Sequence, residues 1–342
     1  MRGFRAKGLA VALVATVVAV VAGCGGTSDS TSSSGGGGGE SLTLVAYSTP
    51  EEAYKKIIPA FNETAAGEGV TFKQSYGGSG DQARAVESGL PADVVEFSLE
   101  PDMTKLVDAG LVEQGWDQNE HKGMVSDSVV ALMVRKGNPK NIETWDDLVK
   151  PGVEVITPNP FASGGARWNV MAAYGAQLES GKSPEEAEQF VATLFDHVSV
   201  LDKSARDSLN TFTSGKGDVL IGYENEAILA QQSGADLDYV LPDETILIEN
   251  PAAVVSESEN PETAKAFVDF LYTEKAQKLF ASTGYRPVLD GLLDKKDFPT
   301  PSKLFDIEKL GGWGEVSDAF FDPESGKVAE IFKSQGKSTA SD

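Results

Sequence analysis

Four times in this chain an apolar, strand-like run ends in a turn of small hydroxylated or glycine residues, and a helical pattern begins there. The turns are Ser48-Thr49, Gly78-Ser79-Gly80, Ser163-Gly164-Gly165 and Ser204-Ala205. The third is the clearest: residues 153–156 form the apolar run, and Trp168, Met171 and Ala172 recur on one helical face beyond it. The first N–H groups of a helix lack an intrahelical acceptor and carry partial positive charge, so such a turn can hold an anion. Glycine lets the backbone approach it closely. One such turn is an ordinary strand–helix connection. Four of them point to an α/β architecture whose turns lie at the carboxyl ends of the strands, where open sheets bind ligands.

The alternation continues through most of the chain. Residues 42–47, 70–75 and 92–97 read as strands, each followed by a helical pattern, and 129–134 as a continuous apolar strand. The pattern restarts at 153–156. Helices are expected from the third turn to about 180 and over 184–195, strands at 198–201 and 217–223, and a helix opened by Glu224-Asn225-Glu226. Residues 239–241 and 246–248 read as short strands, 261–280 as one long amphipathic helix, and no strand is strong beyond Asn250-Pro251. The expected class is α/β with a largely parallel sheet, in two lobes each with a sheet flanked by helices. Residues 41–133 with 246–333 form the first lobe and 134–245 the second, 129–134 and 246–255 cross between them, and 334–342 read as a disordered tail. Two turns fall in each lobe. If the lobes face each other, the turns converge on one cleft, where backbone N–H groups and serine hydroxyls would hold a small tetrahedral oxyanion.

The N-terminus departs from this pattern. Arg2, Arg5 and Lys7 precede an apolar run over 9–22, too short for a comfortable membrane span, which ends at Val21-Ala22-Gly23-Cys24. Cys24 is the only cysteine, so no intramolecular disulfide can form. This segment resembles a bacterial lipoprotein signal. That implies a signal peptide over residues 1–23, cleavage before Cys24 and a diacylglycerol on its thiol. Residues 24–40, nearly all Gly, Ser, Thr and Asp, make a flexible tether with an r.m.s. span of roughly 20–24 Å. The expected location is extracytoplasmic, lipid-anchored to the cell membrane on its periplasmic or cell-wall-facing side. A formal net charge of −23 argues against a nucleic-acid partner. It also means that an anion site must work through short-range donors, since the long-range field repels anions and is screened over about 10 Å.

Catalytic constellations are missing from the sequence. His121 and His197 are the two histidines, with no His-Glu-x-x-His and no Cys/His cluster. Ser163 lacks a Gly-x-Ser-x-Gly elbow. No metal and no cofactor is implied.

Residues 74–80, 135–140, 156–160, 163–169, 201–202 with 205–206, 217–221 and 224–227 carry a specific resemblance, above all Ser163-Gly164-Gly165-Ala166-Arg167-Trp168-Asn169. On them the chain resembles the sulfate-binding proteins of ABC importers, which are type II periplasmic binding proteins, over residues 41 to about 322. The resemblance implies a two-lobed Venus-flytrap protein that closes on unprotonated sulfate and delivers it to ABC transporter permease subunits, without a catalytic step; a monomer is expected. Carried over by position, the ligands would be the N–H of Ser48, the hydroxyls of Ser79 and Ser163, and the N–H groups of Gly164, Gly165 and Ala205. One further family ligand is an indole N–H just before the Glu-Asn-Glu-Ala run. Here that position is Tyr223, whose phenol can donate or accept.

Sulfate at neutral pH carries no proton, so a site built wholly of donors suits it. Hydrogen phosphate would leave its own proton unpaired there, at a cost of about 1–3 kcal/mol. Such a donor-only site needs Asp81, Asp202, Asp207 and Glu224, near the turns in sequence, to cap helices or face solvent. It also has Arg167 and Arg206 pairing elsewhere. The alternatives are a receptor for thiosulfate, molybdate or tungstate, which Tyr223 keeps open, and, from another class, a lipid-anchored hydrolase of an anionic ester.

Overall fold

The computed structural model describes residues 40–339, so the expected signal peptide, Cys24 and all of the tether but Glu40 lie outside the described residues. The chain opens with β1 (Ser41–Tyr47), α1 (Glu51–Asn62), β2 (Thr71–Gly77), α2 (Ser79–Glu87), β3 (Val94–Glu96) and α3 (Glu100–Asp108). The long strand β4 (Met124–Arg135) leads to β5 (Val155–Pro158), α4 (Gly164–Glu179), α5 (Pro184–His197), β6 (Val198–Asp202), α6 (Ala205–Thr213), β7 (Val219–Tyr223), α7 (Glu224–Gln232) and β8 (Leu237–Val240). A second long strand, β9 (Glu244–Val254), returns the chain to α8 (Pro261–Leu271), α9 (Glu274–Ala281), β10 (Lys303–Phe305), α10 (Gly312–Phe321) and α11 (Lys327–Ser334).

The strands run in the order β2-β1-β3-β9-β4-β7-β5-β6, with β10 on β9 and β8 on β4. Pairing is parallel for β1 with β2 and β3, for β5 with β6 and β7, and for β10 with β9. It is antiparallel wherever β4 or β9 meets β3, β7, β8 or each other. The sheet is therefore mixed rather than largely parallel. The reason is topological: β4 and β9 carry the chain across and back, so each runs against the strands it joins. Within β4, Met124 to Val129 pair with β9, and Val130 to Val134 pair with β7.

The apolar faces seen in the sequence fill separate cores. Tyr54, Ile57 and Phe61 of α1 pack with Phe267, Phe270 and Phe280 behind β1. Trp168, Met171 and Ala172 of α4 pack with Phe190, Val191 and Phe195 of α5. At about 25 cal/mol per Å² of apolar surface, a fully buried side chain of this size contributes roughly 1.5–3 kcal/mol.

Two expectations change. The helix foreseen over 261–280 is two helices. Thr273 breaks it by accepting the Ala276 N–H at 3.2 Å, which makes it the N-cap of α9. The C-terminal segment, assigned to the first lobe, also packs on α4 and α5: Trp313 meets Trp168 edge-on, Phe332 meets Phe195, and Lys327 pairs with Glu188 at 2.9 Å. Residues 335–337, foreseen as disordered, are held by the bond from Gln335 Nε2 to the Ala192 carbonyl at 2.9 Å and by that from the Lys337 N–H to the Phe332 carbonyl at 2.8 Å.

Candidate anion site

The four turns meet. Ser48 follows β1. Ser79 is the first residue of α2, behind an extended Gly78 at φ −60° and ψ 133°. Gly164 opens α4 behind an extended Ser163, and Ala205 opens α6 behind Ser204. Ser48, Ser79, Ser163, Gly165, Ala205 and Tyr223 line one small cavity together with Tyr47, Thr49, Gly77 and Ser98. No lining residue carries a charged side chain. Larger grooves exist, such as one of about 740 Å³ between α2, α3 and α10, but that one is open and lined by charges of both signs.

The walls approach each other through backbone. A Cβ on Gly78 would stand 2.8 Å from the carbonyl oxygens of both Ala162 and Lys203. A Cβ on Gly164 would stand 2.6 Å from Leu99 Cδ2 and 2.8 Å from Ser98 Cβ. Glycine is required at both positions because a side chain would occupy the space where the two halves touch. Gly164 itself faces Ser98, while Gly165 and the hydroxyl-bearing Ser163 face the cavity. The Ser163 side chain makes no cap bond to its own helix.

Three hydroxyls at these turns have partners within the fold. Ser48 and Thr49 do not cap α1, whose N-cap is Pro50. Thr49 Oγ1 bonds the Tyr285 phenol at 2.7 Å, and Ser48 Oγ receives the Arg206 N–H at 3.4 Å. Ser79 Oγ donates to Asp102 at 2.5 Å and accepts the Ser98 N–H at 2.9 Å. What Ser79 can offer an anion is therefore its backbone N–H in the first turn of α2.

The acids near the turns point elsewhere. Asp81 pairs with Arg84, and Asp202 accepts from Ser208 and Thr211 at 3.0 Å each. Asp207 receives the Ser204 hydroxyl at 2.7 Å, and Glu224 forms a buried ion pair with Arg286 at 2.7 Å. Arg206 is bound to the buried Glu226 at 2.8 and 3.1 Å and reaches the Thr49 carbonyl at 3.3 Å. Arg167 donates to the Pro160 carbonyl at 3.0 Å. Burial pushes its pKa down, with Asp102 opposing that shift. Among the described residues, no cluster of His, Cys, Asp and Glu is arranged to hold a metal ion.

The sequence pattern of the bacterial extracellular solute-binding proteins matches residues 42–286. The sulfate-binding protein of Synechococcus elongatus is 44% identical over 321 residues, covering 91% of both chains. The thiosulfate-binding protein of Escherichia coli is 36% identical over 295 residues, covering 81% of this chain and 86% of its own. In structure, the sulfate-binding protein SubI from Mycobacterium tuberculosis superposes with a TM-score of 0.80 at 48% identity, covering 83% of this chain and all of that one. The chain belongs to the bacterial extracellular solute-binding protein family. Its α/β fold is the two-lobed type II fold of periplasmic binding proteins.

Three parts of the site of this solute-binding protein went unread in the sequence. Asp102, on α3, sits behind Ser79, and burial raises its pKa against the pull of Arg167 and Arg84. A buried phenol network joins Tyr47 and Thr49 to Tyr285. Ser98, one turn of chain beyond β3, bonds Tyr223 Oη at 2.5 Å. Only Ser98 had a legible signal, a hydroxyl at the end of an apolar run as in the other four turns. It lacks the glycine that marked two of them.

Proposed function

We propose that this protein captures sulfate in the cavity between its lobes and delivers it to the permease subunits of an ABC transporter. The observation that carries this reading is the convergence of four small-residue turns, three of them helix N-termini, on one cavity without a charged lining side chain. Such a cavity stabilises an anion by local N–H dipoles. It offers no carboxylate for a protonated oxyanion to meet. The proposed ligand groups are the N–H groups of Ser48, Ser79, Gly164, Gly165 and Ala205, the hydroxyl of Ser163 and the phenol of Tyr223. The likeness to sulfate-binding proteins at 44–48% identity supports sulfate over thiosulfate, whose binding protein is more distant at 36%. Molybdate remains an outcome of the same test.

In this reading the protein is a receptor and not an enzyme. Residues 41–133 with β9, α8 and α9 form one lobe, and 134–245 with the C-terminal helices the other. Closing them around the anion is the functional event. The chain acts as a monomer tethered through lipidated Cys24 outside the cytoplasm. Calorimetric titration with sulfate, thiosulfate, molybdate and phosphate tests the ligand. Tighter binding of molybdate or thiosulfate than of sulfate overturns the substrate. Turnover of a sulfate or phosphate ester that Ser163→Ala abolishes overturns the receptor.

A further inference from the structure

Ser98 and Tyr223 come from opposite walls of the cleft, one after β3 and the other at the end of β7, and both line the cavity. Their oxygens are 2.5 Å apart. Both stand over the glycine turn. A Cβ on Gly164 would lie 2.9 Å from Ser98 Oγ, and one on Gly165 would lie 3.4 Å from Tyr223 Cε1. The backbone of Ser98 is fixed from two sides, because its carbonyl accepts Trp168 Nε1 at 2.7 Å and Asn250 Nδ2 at 2.9 Å. Its N–H is spent on Ser79. The Tyr223 ring is fully buried, and burial raises the phenol's pKa, so it keeps its proton at neutral pH.

Two hydroxyls carry two protons, and their mutual bond uses one. The Asn250 side chain also bonds the phenol, as a donor that uses neither proton, and the neighbouring Ser98 carbonyl is already occupied, so the second proton is directed at the cavity. Either oxygen can present it, because the pair can reverse its direction. We propose that Ser98 is a further ligand-binding residue, and that its hydroxyl and the Tyr223 phenol act as one interchangeable donor to the captured anion. The inference rests on the oxyanion-receptor reading and deepens it: the pair closes across the cleft and supplies one hydrogen bond whichever oxygen faces the ligand.

The test is calorimetric titration of sulfate into Ser98→Ala, Tyr223→Phe, the double variant, and Ser98→Ala combined with Tyr223→Trp, with thermal unfolding run on each. Each single variant loses one of the two hydroxyls and keeps the other, so its Kd should rise measurably, by about two- to threefold. The double variant loses the donor and should bind about 10- to 100-fold more weakly, the loss expected for one hydrogen bond to a charged group. The tryptophan variant restores an N–H donor in the space vacated by the serine hydroxyl and should recover affinity. A double variant no weaker than the sum of the singles overturns the inference, as does an unrecovered tryptophan variant that unfolds at the native temperature. If the double variant fails to fold, the recovered or unrecovered affinity of the tryptophan variant decides alone. Failure of the native protein to bind any tetrahedral oxyanion would overturn the receptor reading itself, and with it this inference.

Discussion

The hydroxyl of Ser79 is held 2.5 Å from a carboxylate oxygen of Asp102 while it receives the N–H of Ser98 at 2.9 Å. A carboxylate only accepts and an N–H only donates, so the Ser79 proton is turned away from the cavity. Ser79→Ala should therefore change sulfate affinity by no more than about threefold. It should lower stability by about 1–3 kcal/mol, because buried Asp102 loses a donor. Titration and denaturant unfolding check the two halves. A large loss of affinity at native stability would return the hydroxyl to the ligand set.

Gly78 touches the opposite wall through carbonyl oxygens that cannot move aside. Gly78→Ala should leave each lobe folded but hold them apart. Sulfate affinity should fall more than about 100-fold, since closure would cost several kcal/mol of steric conflict. Small-angle scattering with saturating sulfate would register the outcome, as the native protein should contract and the variant should not. A variant that contracts and binds normally would place the contact outside the closing motion.

The Arg206–Glu226 pair is an interior ion pair whose carboxylate side chain is 2% exposed. Removing Arg206 alone strands that charge. Arg206→Met should destabilise the fold by about 3–5 kcal/mol, and Arg206→Met combined with Glu226→Leu should recover most of it. Urea unfolding of the two variants and the native protein reads this directly. Equal destabilisation of the two variants would mean that the cross-wall contact to the Thr49 carbonyl dominates instead.

Glu96, the last residue of β3, lies fully buried and accepts the Tyr54 phenol, and burial pushes its pKa up to about 8. An unfolded glutamate titrates near 4.3. Between these values the folded chain holds a proton that the unfolded chain has lost. The contribution of Glu96 is thus fully present below about pH 4.3 and is lost as the pH rises toward 8, by up to about 1.4 kcal/mol per pH unit. Glu96→Gln should flatten the dependence of unfolding free energy on pH between 5 and 8. An unchanged slope would mean that Glu96 stays ionised in the fold.

Much of this was legible because strand–helix alternation and small-residue turns are local. The four turns and the start of α4 at Gly164 follow from short windows of sequence. What escaped was non-local. The antiparallel pairing of β4 and β9 depends on where the chain returns. The docking of α10 and α11 on α4 and α5 depends on complementary aromatic faces far apart in sequence. Ser79 read as a hydroxyl donor because nothing near it in the chain reveals Asp102, 23 residues away. The pairing of Tyr223 with Ser98 spans 125 residues and has no periodic signature.

The central claim is that helix N-termini and hydroxyls, without a countercharge, hold unprotonated sulfate. Titration calorimetry of the mature chain with sulfate, repeated at the same ionic strength with thiosulfate, molybdate and phosphate, tests it most directly. The account predicts saturable one-to-one binding of sulfate, weaker binding of thiosulfate and molybdate, and no heat from phosphate. Binding of phosphate as tight as that of sulfate, or no saturable sulfate binding, would contradict it.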